Sequence, residues 1–111
     1  MFDENTGYKK QIEAHLIHEY NLSVDQARMM VQVGCQDIKK NLDKLKAIVV
    51  ERKVDTIDYD ALKKVSHSLK GVLLNLGLQA EAEIAQKLEG ATKNDFEFAA
   101  VEKLLAIAED L

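Results

Sequence analysis

Apolar and polar positions alternate at helical spacing along most of the chain, and five such segments are separated by brief polar or glycine-containing breaks. The first predicted helix runs from about Glu4 to Tyr20, with Tyr8, Ile12, Leu16 and Tyr20 at four-residue steps. The next start is sharply marked. Ser23 precedes Gln26 at the spacing that lets each side chain satisfy a free backbone N–H at a helix start, and Leu22 can staple against Ala27. From there Ala27, Val31, Ile38, Leu42, Leu45 and Val49 follow steps of four and three, with one longer interval from Val31 to Ile38. This predicts a long bundle helix ending near Arg52 to Val54. Gly34 lies on the same stripe, and the pattern leaves open a close helix contact or a break between two helices.

Asp55 to Asp58 reads as a turn and capping cluster. A third helix is predicted from Asp58 to Leu76, stopped by Gly77. A fourth runs from Leu78 to Glu89, with Ile84, Ala85 and Leu88 inward and Gly90 as its stop. Asn94 and Glu97 are expected to cap the last helix, whose buried stripe would be Phe98, Val101, Leu105 and Ala108. Strand-like runs such as Ile48-Val49-Val50 fall inside a longer helical period. Short connections favour antiparallel neighbours. The expected fold is therefore all-α: an up-down antiparallel four-helix bundle over 22–111 with an accessory N-terminal helix over 1–21, in a single domain over 1–111.

A length of 111 residues supports one core, and 47% apolar with 31% charged residues is a globular balance. No apolar run is long enough to span a bilayer. The start, Met1-Phe2-Asp3-Glu4, lacks the basic and apolar stretches of a secretory signal. The lone Cys35 cannot close an internal disulfide and reads as a small packing residue. A cytoplasmic location without a membrane partner is expected. The net charge of -4 argues against nucleic acid as a partner. Since each stripe can be buried within the bundle, a monomer is expected. There is no nucleotide-binding glycine loop, cysteine pair or serine-nucleophile motif, so neither an ATP site nor a cofactor of its own is predicted. His15 and His18, with Glu19 beside them, are too sparse to specify a metal and read as a surface or partly packed pair.

The third helix carries the candidate chemistry. At about 100° per residue, Leu62, Val65, Leu69, Val72, Leu73 and Leu76 gather on one side. His67 falls almost opposite and is predicted to face solvent. Lys63, Lys70, Gly71 and Leu74 surround it, with Lys64 and Asn75 at the edge. A mid-helix glycine costs roughly 1 kcal/mol relative to Ala. Gly71 sits far from a helix end and away from the core, so capping and close packing give no reason for it. Leu74 beside it is apolar on an outward face. Rules broken together on one exposed face point to function. An imidazole, with a reference pKa of about 6.5, is substantially neutral and nucleophilic near neutrality. It can attack phosphorus to form a phosphoramidate, whose charge Lys70, one turn along, can meet.

The stretch Ser66-His67-Ser68-Leu69-Lys70-Gly71-Val72-Leu73-Leu74-Asn75-Leu76-Gly77 resembles the signature of histidine-containing phosphotransfer (HPt) domains. The His, Leu, Lys, first Gly, Asn, Leu and second Gly match in register. The resemblance covers roughly 22–111 and includes Leu88-Glu89 near the end of the following helix. It implies a four-helix bundle in which His67 is phosphorylated and Lys70 steadies the phosphoryl group. Gly71 would give a receiver domain room to approach, and Gly77 would turn the chain into the next helix. Gly71, Leu74, Lys63, Lys64, Ser68 and Asn75 form the implied docking set. The chain departs from the family pattern at Ser66, where Ala is common, and in the segment before Leu22, which has no clear family counterpart.

The implied activity is relay. The domain would accept a phosphoryl group on His67 from a receiver aspartate or a histidine kinase, and pass it to a response-regulator receiver whose own Mg²⁺ assists. Expected partners are receiver domains and a sensor or hybrid histidine kinase. The sequence leaves two alternatives: a phosphoacceptor domain from a larger chemotaxis-type or hybrid kinase, and a helical interaction module without relay activity.

Overall fold

The computed structural model describes residues 7–111. Its α-helices are α1 (Tyr8–Tyr20), α2 (Val24–Val49), α3 (Tyr59–Asn75), α4 (Gln79–Glu89) and α5 (Phe98–Ile107), with 3₁₀ turns at Val54–Thr56 and Ala108–Asp110. No strand occurs among the described residues. α3 packs between α2 and α4, and α5 closes the ring against α4 and α2, giving the four-helix bundle. α1 lies against α2 as the accessory helix. The expected start of the first helix at Glu4 lies outside the described residues.

Local chemistry sets the boundaries. Ser23 Oγ accepts from the Gln26 N–H at 3.1 Å, and Gln26 Oε1 accepts from the Ser23 N–H at 3.0 Å. Each satisfies a donor that the helix cannot. Asp58 caps α3 by accepting from the Ala61 N–H at 3.1 Å. α3 ends in a paired turn: the Leu78 N–H donates to the Leu73 carbonyl at 2.9 Å and the Gly77 N–H to the Leu74 carbonyl at 3.1 Å. Gly77 supplies the required left-handed backbone, with φ +81°. Leu73 and Leu78, which flank this turn, are fully buried.

Three boundary or packing expectations need correction. α2 ends at Val49, short of Arg52 to Val54, because Val50 turns extended and Glu51 takes a left-handed φ of +55°. The cap expected from Asn94 and Glu97 is absent. Instead Asp95 Oδ1 accepts from the Thr92 N–H at 2.6 Å, which organises the loop one turn earlier. The buried face of α5 is Val101, Leu104 and Ile107. Phe98 is 39% exposed at the helix start, packing edge-on against Phe96, while Leu105 and Ala108 are only partly buried. In α1, Ile12 and Leu16 are buried but Tyr20 is exposed.

The core spans the bundle, with Ile38, Leu42 and Leu45 of α2, Leu62, Leu69 and Leu73 of α3, Leu88 of α4 and Leu104 of α5 all within it. Each such leucine or isoleucine contributes about 1.5–3 kcal/mol by leaving water. Gly34 is a close contact rather than a break: α2 runs through it unbroken. A Cβ built there would stand 2.7 Å from Leu76 Cδ1. The α3–α4 turn is also covered by α1, since the His15 ring fills the space where a Gly77 side chain would project. Tyr8 Oη donates to Glu81 at 3.0 Å, tying α1 to α4. Burial, reinforced by the Glu81 carboxylate, pushes the Tyr8 phenol up to about 12.

Candidate functional site

α3 presents its two faces as the helical wheel requires. Leu62, Val65, Leu69 and Leu73 are buried, Leu76 follows them into the core, and Val72 is partly buried. Ser66 is also buried, and its hydroxyl has no hydrogen-bond partner among the described residues. The His67 side chain is 68% exposed. Lys63, Lys64, Ser68 and Asn75 are exposed around it, and Leu74 remains 49% exposed. Gly71 is half-buried, yet a Cβ added to it would meet nothing within 4 Å. Its bareness therefore has no intramolecular cause.

Glu89, the last residue of α4, organises this face. Its Oε2 lies 2.9 Å from His67 Nδ1, and its Oε1 lies 2.7 Å from Lys70 Nζ. Contact with the Lys70 ammonium, and then with the His67 ring, holds the Glu89 carboxyl below the usual carboxylate range. An ionised carboxylate can only accept, so Nδ1–H is the donor. That fixes the tautomer: in the neutral ring the lone pair sits on Nε2. The arrangement is a nucleophile oriented by an acid on a neighbouring helix, with a cation one turn away held by the same acid.

Periodicity gave no sign of this role. Glu89 stands 22 residues from His67, and only helix packing brings them together. The signal available was the Leu88-Glu89 pair, which marked a likeness without indicating a contact. Lys63 and Lys64 share the face but form no ion pair among the described residues.

Beside the exposed face runs an apolar groove of about 330 Å³ between α2 and α3. It is lined by Met29, Met30, Val33, Val72, Asn75 and Leu76, and the first three are exposed large hydrophobics. On α3, Asn75 lies one turn beyond Gly71, so the groove continues the His67 face.

A family model described as Hpt domain matches residues 29–111. No curated protein and no solved structure gives a significant match. Among the described residues, no helix is long and apolar enough to cross a membrane.

Proposed function

The chain belongs to the Hpt domain family, which serves phosphotransfer in two-component signalling, and on that premise we propose that His67 is the phosphoryl-accepting residue of a phosphorelay intermediate. The observation that carries the reading is the exposed imidazole whose Nδ1 is held by Glu89, which leaves Nε2 as the free nitrogen, one turn from the bare Gly71.

A receiver domain bearing an aspartyl phosphate docks on this face. The Nε2 lone pair attacks phosphorus, an N–P bond forms, and the acyl-phosphate P–O bond breaks, returning the receiver's carboxylate. The ring, now substituted on Nε2 and protonated on Nδ1, is cationic, and Glu89 stabilises that charge where it develops. Lys70 serves the incoming phosphoryl oxygens. The reverse attack by a second receiver's aspartate completes the relay. Mg²⁺ is held by the receiver, not by this chain. Positioning and charge stabilisation supply the catalysis.

Gly71 leaves room for the receiver to close on His67. Leu74, together with Met29, Met30 and Val33, offers it apolar surface, and Lys63, Lys64, Ser68 and Asn75 form the polar margin. The apolar groove is assigned to this occupant because it continues the face that carries the reacting nitrogen.

The test is transfer from a phosphorylated receiver domain, followed by loss of label from the receiver and gain on this chain. Wild type should take the label within seconds and His67→Gln should take none. Equal labelling of both proteins would overturn the assignment.

A further inference from the structure

The net charge of -4 conceals a basic concentration on another face. An open groove of about 870 Å³ lies between α1 and α2. Its rim carries Lys9 from α1 and Arg28 and Lys39 from α2, with Gln32 and Gln36 between them. Lys10 lines it as well. Among the described residues, Glu13 is the acidic side chain in the lining and stands 3.7 Å from Arg28 Nε, and Leu111 also borders the groove. Lys9 and Lys39 form no ion pair among the described residues. The buried Val31 and Cys35 make the floor. Burial pushes the Cys35 thiol up, against the pull of Lys9 and Lys39, so the floor is a packing surface and not a nucleophile.

We propose that this groove binds an extended acidic polypeptide segment of a partner protein, at a site separate from the His67 face. The charge pattern selects an anion. The kind of anion follows from exposure. The rim cations Arg28 and Lys39 are exposed, so a single small ion would gain only weak, screened attraction. Several carboxylates engaging several cations at once gain more. Arg28 and Lys39 are separated by about 16 Å along α2, the reach of roughly five extended residues. Gln32 and Gln36, one turn apart, carry both donors and acceptors for a peptide backbone. Among the described residues the lining has no aromatic ring on which a base could stack.

Placement gives the site its use. Lys39 lies about 180° around α2 from Met30, which lines the apolar groove beside His67. A segment held by the basic groove leaves the His67 face free. A partner tethered there would raise the local concentration of its own reactive domain without competing for the docking face.

The test is fluorescence anisotropy with a labelled peptide of alternating Asp and Glu, with a single-stranded oligonucleotide of matched charge as competitor. Wild type and His67→Gln should bind the peptide equally, with an affinity that falls as salt rises. Lys9→Glu with Lys39→Glu should weaken binding by about tenfold, as expected for turning two exposed attractions into repulsions. The same reversal at Lys63 and Lys64 should change it less than about twofold, and neutralisation to Gln at Lys9 and Lys39 should give an intermediate loss. No saturable binding would overturn the proposal. So would equal loss from both pairs, or stronger binding of the oligonucleotide.

Discussion

Gly34 and Gly71 are both mid-helix glycines, and both carry the same intrinsic penalty. Their surroundings differ completely. At Gly34 the missing side chain is replaced by Leu76, whose methyl groups reach to 2.7 and 2.9 Å of where a Cβ would stand. At Gly71 nothing approaches within 4 Å. The first glycine is explained by the fold, because it lets α2 and α3 close on one another. The second has no such explanation within the fold. On the proposed function, a residue that weakens its own helix without making room for a neighbour marks where a receiver docks, one turn from an exposed, oriented histidine.

The sharpest way to break this contrast is to put the same side chain at both positions. Gly34→Leu should destabilise the protein by about 3 kcal/mol, because Leu76 must be driven out of a packed site. Denaturant unfolding would measure it. A loss near zero would mean that the helices have slack. Gly71→Leu should behave in the opposite way, gaining roughly 0.5–1 kcal/mol from helix propensity. Its transfer from a phosphorylated receiver should fall by about 100-fold, as a small misplacement of reacting groups allows, while labelling by a small phosphoramidate donor stays close to wild type. Loss with both donors would place the defect in the histidine itself and not in docking.

Glu89→Gln sharpens the comparison from the side of the ring. The amide no longer compels the Nδ1–H tautomer, so labelling should slow by about tenfold with receiver and small donor alike. The pH dependence has a definite sign. The folded-state pKa of Glu89 is depressed below its ordinary 4.5. The stability it contributes is therefore present above that value and lost only as pH falls through the lower folded one. Carboxyl chemical shifts should show Glu89 still ionised at its ordinary midpoint. A midpoint at or above it would contradict the contact with Lys70 and His67.

The smallest expected effect concerns Ser66, buried with an unpartnered hydroxyl. Ser66→Ala removes that hydroxyl and should raise stability by about 1 kcal/mol with no change in labelling. A loss of stability would mean that the hydroxyl is satisfied in solution.

Much of this molecule was legible in the chain. The Ser23–Gln26 box, the Asp58 cap and Gly77 located their helix ends because capping is a local matter of a few residues. The wheel separated the two faces of α3 because its apolar stripe is clean. The reading failed where the decision is tertiary. Gly34 could not be resolved without Leu76 opposite it. The face of α5 was misplaced because apolar residues surround that short helix on several sides and only packing against α2 and α4 selects one. At the site, His67, Lys70 and Gly71 stood out within one helix, but the role of Glu89 depends on how α4 lies against α3. The basic groove escaped notice because Lys9, Arg28 and Lys39 are scattered in sequence and meet only when α1 packs on α2.

The central claim is that His67 takes a phosphoryl group on the nitrogen that Glu89 leaves free. The most direct measurement is intact-protein mass spectrometry at neutral to mildly basic pH, after incubation with a small phosphoramidate donor. Wild type should gain a single acid-labile phosphoryl adduct and His67→Gln should gain none. No adduct under conditions that label a known HPt domain, or an adduct that survives in the mutant, would contradict it.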